Sequence, residues 1–179
     1  MLALTPVTPN QVSVAAFVAA LGALALLAAG RNIEAGALIQ MSSVIDGVDG
    51  DLARAKNMAS RFGGVFDAVL DRYADAAIAG GMAWYALERE DAPGALAVGF
   101  AAVVAFLLVS YSRARLEREG GMEAASALLG VASRDVRLLA LAIGAALGQA
   151  YWALLVVAAV SYATVAWRLW AFRRLGPIA

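Results

Sequence analysis

Residues 46–71 read DGVDGDLARAKNMASRFGGVFDAVLD, and they place five aspartates inside or beside strongly apolar sequence. The chain has 179 residues, and 63% of them are hydrophobic. This share is above that of ordinary soluble domains, so the composition indicates an integral membrane protein. A charged side chain within a membrane-spanning helix is costly unless it is paired or used. The stretch therefore indicates a functional site.

The composition also limits the chemistry of that site. The chain contains no cysteine and no histidine, and its formal net charge is zero. These absences exclude thiolate chemistry, catalytic triads that depend on histidine, and metal sites built from histidine or cysteine. No basic stripe indicates a nucleic-acid partner. Any metal site must use oxygen ligands, which favours Mg²⁺, Mn²⁺ or Ca²⁺.

The apolar segments predict an all-α fold, an integral membrane bundle of six transmembrane helices. A spanning helix needs about 20 apolar residues, and small residues that recur along the segments allow helices to approach closely in lipid. The predicted spans are residues 12–30, 35–54, 61–87, 93–111, 136–148 and 151–170. The fifth span is short, and its boundary with the sixth is the least well defined.

Basic residues predict the orientation of this bundle. With six spans, all of the 14 Lys and Arg residues except Arg31 and Arg89 lie on the side of the N-terminus. Cytoplasmic loops of membrane proteins carry the excess of Lys and Arg. We therefore expect a multi-pass protein whose aspartate-rich end faces the cytoplasm.

Helical spacing brings four of the aspartates onto two facing helices. Asp46 and Asp49 are three residues apart on the second span, and Asp67 and Asp71 are four apart on the third, so each pair shares a face. The short connection at 55–60 predicts that the two spans are antiparallel neighbours. Asp51 falls on another face. Four carboxylates cannot all stay ionised in a low dielectric without a counter-charge, so we expect one or two divalent cations, Mg²⁺ or Mn²⁺.

Small and basic residues accompany the carboxylates. Gly50, Ala53 and Gly63 leave room beside the metal for a bulky ligand such as a nucleotide, and Arg54 and Arg61 supply charge for phosphate oxygens. This combination is typical of phosphoryl transfer. Three alternatives remain open on chemistry alone: ion pairing of the aspartates with arginines, a cation transporter, and a non-catalytic scaffold.

The spacing D-x-x-D-G-x-x-A-R-x8-G-x3-D-x3-D in residues 46–71 resembles the signature of the CDP-alcohol phosphotransferases, and all eight fixed positions are present. The resemblance implies transfer of a phosphoryl-alcohol unit from a CDP-alcohol to a second alcohol, with release of CMP. It implies metal binding by Asp46, Asp49, Asp67 and Asp71, a general-base role for Asp71, and a CDP site at Gly50, Ala53, Arg54 and Gly63.

The resemblance has further implications for assembly. Members of this family are typically homodimers with the active site open to the cytoplasm, and many carry a juxtamembrane helix or a soluble domain before the first span. We therefore expect a single transmembrane domain over residues 1–179, or a fragment of a longer chain with an N-terminal soluble domain. Asn10 and Gln11, at the start of the first span, are candidates for contact with the cytosine.

Basic segments indicate the acceptor. Segments 110–115 (SYSRAR), 133–137 (SRDVR) and 66–75 (FDAVLDRYAD) resemble the branch of the family that accepts inositol phosphate. Arg113, Arg134 and Arg137 would bind the acceptor phosphate if they face the metal, and otherwise they anchor the helix ends at lipid head groups. CDP-inositol is the favoured donor, a CDP-lipid for phospholipid synthesis is the alternative, and a cytidylyltransferase is the expected partner.

Overall fold

A computed structural model describes residues 6–119 and 133–174. Within these ranges the chain forms six α-helices and no strand, so the predicted all-helical architecture is confirmed. The helices are α1 (Pro9–Ala28), α2 (Asn32–Ala55), α3 (Arg61–Arg89), α4 (Ala95–Arg118), α5 (Arg134–Ala146) and α6 (Ala150–Arg174). They lie close to the predicted spans, although α4 continues well past the predicted end at residue 111.

Local hydrogen bonds set the starts of the helices at the aspartate-rich end. The backbone N–H of Thr8 donates to Gln11 Oε1 at 2.9 Å, and proline occupies the first turn of α1. Ser60 Oγ accepts the backbone N–H of Gly63 at 3.0 Å and caps α3. Asn57, with φ of 53°, turns the chain between α2 and α3. These caps define the two helices that carry the signature.

The helices close into a ring in the order α1, α2, α5, α6, α4 and α3. Helix α3 also contacts α6 across the ring. Helices α2 and α3 both pack extensively against α1 and touch each other little. We expected them to be antiparallel neighbours, and the structure brings them together at the aspartates, whereas both pack against α1 rather than extensively against each other. Helix α1 holds the two helices apart, and this separation leaves room at the end where their aspartates converge.

Small residues allow the close helix packing. A Cβ atom at Gly36 of α2 would lie 2.6 Å from the backbone oxygen of Ala142 in α5. Likewise, a Cβ at Gly144 would overlap the Cβ of Ala153 in α6. A Cβ at Gly80 would meet no atom within 4 Å, so this glycine is not required for packing. The close approach of α5 to its two neighbours therefore depends on glycine.

Three of the described helices, α1, α4 and α6, are long and apolar enough to cross a membrane. Helices α2 and α3 have 24 and 29 residues, and they carry the aspartates and arginines of the signature. The described part of α5 has 13 residues. At about 1.5 Å per residue, this length is shorter than a hydrocarbon core of about 30 Å.

The opposite end of the bundle is held by a carboxylate. The side chain of Glu90, just after α3, accepts hydrogen bonds from the backbone N–H groups of Ala150 at 2.5 Å and Tyr151 at 3.0 Å. These N–H groups begin α6 and have no partner within their own helix. Gly148, with φ of 64°, makes the turn that separates α5 from α6.

Candidate metal and nucleotide site

Three carboxylates converge where α2 and α3 approach each other. Asp46, Asp49 and Asp67 each bring one oxygen to within 4.8 Å of the others. Asp49 is buried, and the other two are partly buried. Asp67 Oδ1 is a buried atom without a hydrogen-bond partner among the described residues. Converging oxygen ligands with one unsatisfied atom fit a divalent cation such as Mg²⁺ or Mn²⁺.

Helix α1 contributes to this cluster through Ser13. The Ser13 hydroxyl donates a hydrogen bond to Asp49 Oδ2, and Ser13 is itself buried. The bond holds the Asp49 carboxylate toward the other two. Sequence reasoning missed Ser13, although a serine one turn after Asn10 in an otherwise Ala- and Val-rich helix start is a usable signal.

Asp71 lies beside the group of three, in contact with two arginines. Its Oδ1 is 3.1 Å from Arg134 Nη1, and its Oδ2 is 3.5 Å from Arg72 Nη2. Arg134 Nη1 also donates to Asp46 Oδ2 at 2.5 Å. One guanidinium group therefore joins Asp46 of the cluster to Asp71. Ion pairing of the aspartates with arginines was one of the alternatives that the sequence left open, and Arg134 and Arg72 supply such pairs here.

The three arginines considered for an acceptor phosphate lie in different surroundings. Arg134 contacts the carboxylates. Arg137 is buried, and its guanidinium lies 4.7 Å from the centre of the Phe106 ring. Arg113 is exposed and pairs with Glu117 at 2.8 Å. Of these three, the structure thus brings only Arg134 to the carboxylates of Asp46 and Asp71, while Arg137 packs deeper in the bundle and Arg113 faces outward.

A cavity of about 200 Å³ adjoins the cluster. It opens between the starts of α1 and α3 and the end of α2, and it includes all four residues predicted to bind the CDP moiety. Its lining consists of Pro9, Asn10, Ser13, Asp49, Gly50, Ala53, Arg54, Met58, Ala59, Ser60, Gly63, Gly64 and Asp67.

Small residues keep this cavity open. A Cβ at Gly63 would lie 3.0 Å from Ser60 Oγ and 3.4 Å from Asn10 Oδ1, so a larger residue would crowd the wall. A Cβ at Gly50 would lie no closer than 3.6 Å to Arg54, in ordinary contact. Arg54 is exposed and forms an ion pair with the equally exposed Asp51 at 2.5 Å.

Of the remaining candidate residues near the cavity, only some contribute to its lining. Asn10 lines the cavity, whereas Gln11 uses its side-chain oxygen to cap α1. Arg61, considered as a source of charge for phosphate, is exposed and is not part of the lining. Asn10 is therefore the better placed of the two α1 side chains for contact with a base.

The carboxylate cluster and the adjoining cavity fit a metal-dependent transferase, and a comparison with known families identifies that class. The sequence profile of the CDP-alcohol phosphatidyltransferase family matches residues 6–170. The chain belongs to this family, whose members are transferases that use CDP-alcohol donors. Family membership identifies an enzyme and decides against the cation transporter and the non-catalytic scaffold.

Two curated relatives match nearly the whole of this chain. The chain is 49% identical over 172 residues to the bifunctional IPC transferase and DIPP synthase of Rubrobacter xylanophilus, and the match covers 95% of this chain and 38% of the relative. The chain thus spans about two fifths of that relative's length. It is 32% identical to the archaetidylinositol phosphate synthase of Pyrococcus horikoshii, with 94% of this chain and 85% of the relative covered.

Solved structures share the fold. The phosphatidylinositol phosphate synthase of Mycobacterium tuberculosis with CDP-DAG bound has a TM-score of 0.76 and 26% identity, covering 97% of this chain and 92% of its own. The same protein in complex with manganese and citrate has a TM-score of 0.77 at 23% identity, covering 97% of this chain and 88% of its own. The fold of the described helices is therefore shared with these structures.

Proposed function

We propose that the chain transfers a phosphoryl-alcohol unit from CDP-inositol to inositol phosphate and releases CMP. The observation that carries the proposal is the group Asp46, Asp49 and Asp67, which opens onto a cavity of about 200 Å³ with glycines in its wall. Such a site offers metal ligands beside space for a nucleotide. The name of the Rubrobacter xylanophilus relative supports the choice of inositol substrates.

A CDP-lipid is the second candidate donor, with inositol phosphate or a similar alcohol as the acceptor. Two observations favour it. The chain is 34% identical to the phosphatidylinositol phosphate synthase of Corynebacterium glutamicum, and that match covers 76% of the relative. A solved structure with the same fold holds CDP-DAG. In this case the chain would be a phospholipid synthase that uses the same carboxylates.

Asp46, Asp49 and Asp67 would hold the cation in either reaction, and Asp71 is the candidate for sharing a second one. When bound, such a cation neutralises charge on the diphosphate and on the departing CMP. The cavity residues Gly50, Ala53 and Gly63 would accept the CDP moiety, because none of them fills the space with a side chain. Arg54, at the rim of the cavity, would contact phosphate oxygens by exchanging its exposed ion pair with Asp51.

Asp71 is our candidate for the general base. In the proposed step, a hydroxyl oxygen of the acceptor attacks the β-phosphorus, the bond from that phosphorus to the CMP oxygen breaks, and Asp71 takes the hydroxyl proton. Arg134 and Arg72 contact one carboxylate oxygen each. These contacts support the role because they orient the carboxylate at the edge of the cluster.

The acceptor phosphate needs positive charge near Asp71. We assign it to Arg134, Arg137 and Arg113, and the support differs among them. Arg134 is the one that contacts the carboxylates. Arg137 lies deeper, 3.9 Å from Asp75, and Arg113 would have to leave Glu117 to take part. Of the three, Arg134 is therefore the strongest candidate.

The proposal extends to the setting of the enzyme. Residues 1–179 would form one multi-pass transmembrane domain with the aspartate-rich end toward the cytoplasm, since nearly all Lys and Arg residues lie at that end. Three helices of membrane-spanning length and composition support the placement in a bilayer. By resemblance to the family, we also propose a homodimer and a cytidylyltransferase that supplies the CDP-alcohol.

CMP release from the purified protein tests the proposal. The protein in detergent, with Mg²⁺, is offered inositol phosphate together with CDP-inositol in one reaction and with a CDP-lipid in another. Release with CDP-inositol alone supports the favoured donor, and release with the lipid alone supports the second candidate. A protein that releases CMP from neither donor, or equally well in excess EDTA, contradicts the proposed function.

A further inference from the structure

Asp75 is a buried carboxylate that the signature does not include. It lies one helical turn beyond Asp71 in α3, and only 3% of its surface is exposed. A charge in such a place requires compensation by partners of opposite sign. Three guanidinium groups surround it, those of Arg72, Arg134 and Arg137.

The contacts of Asp75 differ in quality. Arg134 Nε donates a hydrogen bond to Asp75 Oδ1 at 3.1 Å. Asp75 Oδ2 lies 3.1 Å from Arg72 Nη1 and 3.9 Å from Arg137 Nη2, yet it makes no hydrogen bond of good geometry with any described residue. The directed interaction of Asp75 is therefore the one with Arg134.

The Nη1 atom of Arg134 contacts the carboxylates of the site. This atom is 2.5 Å from Asp46 and 3.1 Å from Asp71. Arg134 opens α5, whose N-terminus Ser133 caps, so its backbone is fixed as well. A guanidinium group is planar and rigid, and a hydrogen bond at Nε therefore limits where Nη1 can point.

We propose that Asp75 is a positioning residue that holds Arg134 between Asp46 and Asp71. This inference rests on the proposed function, in which Asp46 is a metal ligand and Asp71 is the general base. Without the Asp75 carboxylate, Arg134 can turn its full fork onto Asp46 and Asp71. There two N–H groups instead of one oppose a divalent cation at Asp46 and tighten the hold on Asp71, whose Oδ1 already lies 3.1 Å from Arg134 Nη1.

A purely structural Asp75 would have different consequences. In that case its carboxylate would only balance the charges of Arg72 and Arg137 within the bundle. Its loss would lower the thermal stability of the protein, but the folded protein would keep its Mn²⁺ affinity and its turnover. Metal affinity and kcat, measured on folded protein, therefore separate the two roles.

The test is a double-mutant cycle on the full chain in detergent. The variants are Asp75→Asn, Asp75→Glu, Arg134→Gln and the pair Asp75→Asn with Arg134→Gln. Glu34→Gln is the matched control, because it removes an acid from an exposed pair with Arg31 at the far end of α2. Electron paramagnetic resonance gives the Mn²⁺ affinity, CMP release gives kcat and KM, and size exclusion reports folding.

We expect Asp75→Asn to weaken Mn²⁺ binding and to lower kcat by about tenfold or more each, because a freed guanidinium stays in the site. The KM for the donor should stay within about threefold, since neither Asp75 nor Arg134 lines the cavity. Asp75→Glu should recover most of the loss in Mn²⁺ affinity and kcat. In the Arg134→Gln protein, adding Asp75→Asn should change the Mn²⁺ affinity and the kcat by less than about threefold each.

Several results would overturn the inference. One is an Asp75→Asn protein with Mn²⁺ affinity and kcat within about threefold of wild type. Another is a case in which Asp75→Asn lowers the Mn²⁺ affinity and kcat of the Arg134→Gln protein as much as it lowers those of wild type. That result would show that Asp75 does not act through Arg134. If Asp75→Asn does not fold, Arg134→Lys breaks the same hydrogen bond while keeping the charge, and unchanged Mn²⁺ affinity and kcat there would overturn it as well.

Failure of the proposed function gives a different result. A wild-type protein that binds Mn²⁺ but releases no CMP from either donor contradicts the proposed reaction. The Mn²⁺ affinities of wild type, Asp75→Asn, Arg134→Gln and the double variant still form a complete cycle in that case. They decide whether Asp75 acts on the metal cluster through Arg134.

Discussion

Replacing Asp67 with Asn should raise the stability of the metal-free protein and reduce the extra stability that a bound metal gives. The oxygens of Asp46, Asp49 and Asp67 lie within 4.8 Å of one another. Two unit charges at that distance repel by about 3 kcal/mol in a medium with an effective dielectric constant of about 20. The substitution removes two such pairs. Arg134 already offsets part of the charge on Asp46, so we expect the free energy of unfolding without metal to rise by about 1–3 kcal/mol.

The same substitution should weaken the metal-bound state. An amide oxygen carries no charge, and we expect the affinity for Mn²⁺ to fall by at least about tenfold, which corresponds to about 1.4 kcal/mol. A ligand that binds only the folded state stabilises it in proportion to the logarithm of its concentration over its Kd. The rise in Tm on adding Mn²⁺ should therefore be smaller in Asp67→Asn than in wild type.

Thermal unfolding in detergent measures both effects, once in EDTA and once in Mn²⁺. Asp51→Asn is the control, because Asp51 lies in the same helix as Asp49 but is exposed and outside the cluster. Its unfolding should respond to Mn²⁺ as wild type does. The reasoning is refuted if Asp67→Asn is less stable than wild type in EDTA and keeps the full rise in Tm with Mn²⁺.

Three other substitutions test separate parts of the site and fold. Asp71→Asn should lower kcat by at least about 100-fold while titration shows unchanged CDP-alcohol affinity, and retained turnover would contradict its role as the base. Gly63→Val should raise the donor KM by at least about tenfold in steady-state kinetics, because a Cβ at this position would already lie 3.0 Å from Ser60 Oγ. Gly80→Val is the control and should leave the donor KM unchanged, because a Cβ there meets no atom within 4 Å. Gly36→Val should lower the free energy of unfolding by at least about 2 kcal/mol, since a Cβ there would lie 2.6 Å from the backbone of α5, and a Tm equal to that of Gly80→Val would contradict this packing.

The convergence of the carboxylates was accessible from the sequence because it depends on local periodicity. Asp46 and Asp49 share a face of α2 by their spacing alone, and a short turn returns the chain so that Asp67 comes near them. The number of helices followed from apolar segment length in the same way. Glycines at the cavity wall were also predictable, because Gly50 lies next to Asp49 in α2 and Gly63 lies one turn before Asp67 in α3.

Contacts between helices that are distant in the sequence could not be predicted from the sequence. Asp75 and Arg134 are 59 residues apart, and their hydrogen bond depends on how closely α5 approaches α3. The position of α5 depends in part on its close packing against α2 at Gly36, which a pattern of apolar residues does not resolve. Ser13 reaches Asp49 because α1 lies against both α2 and α3, an arrangement that the short connection between those two helices did not indicate.

The hydrogen bonds from Ala150 and Tyr151 to Glu90 have a consequence for how the chain assembles. Backbone N–H groups near lipid need partners, and the first turn of α6 takes its acceptor from a residue translated 60 positions earlier. We therefore expect the last helix to complete its first turn only after α3 is seated in the bilayer. Glu90→Gln, which weakens the acceptor, should delay protection of the α6 start from hydrogen exchange during membrane insertion, with the helices made earlier protected on time.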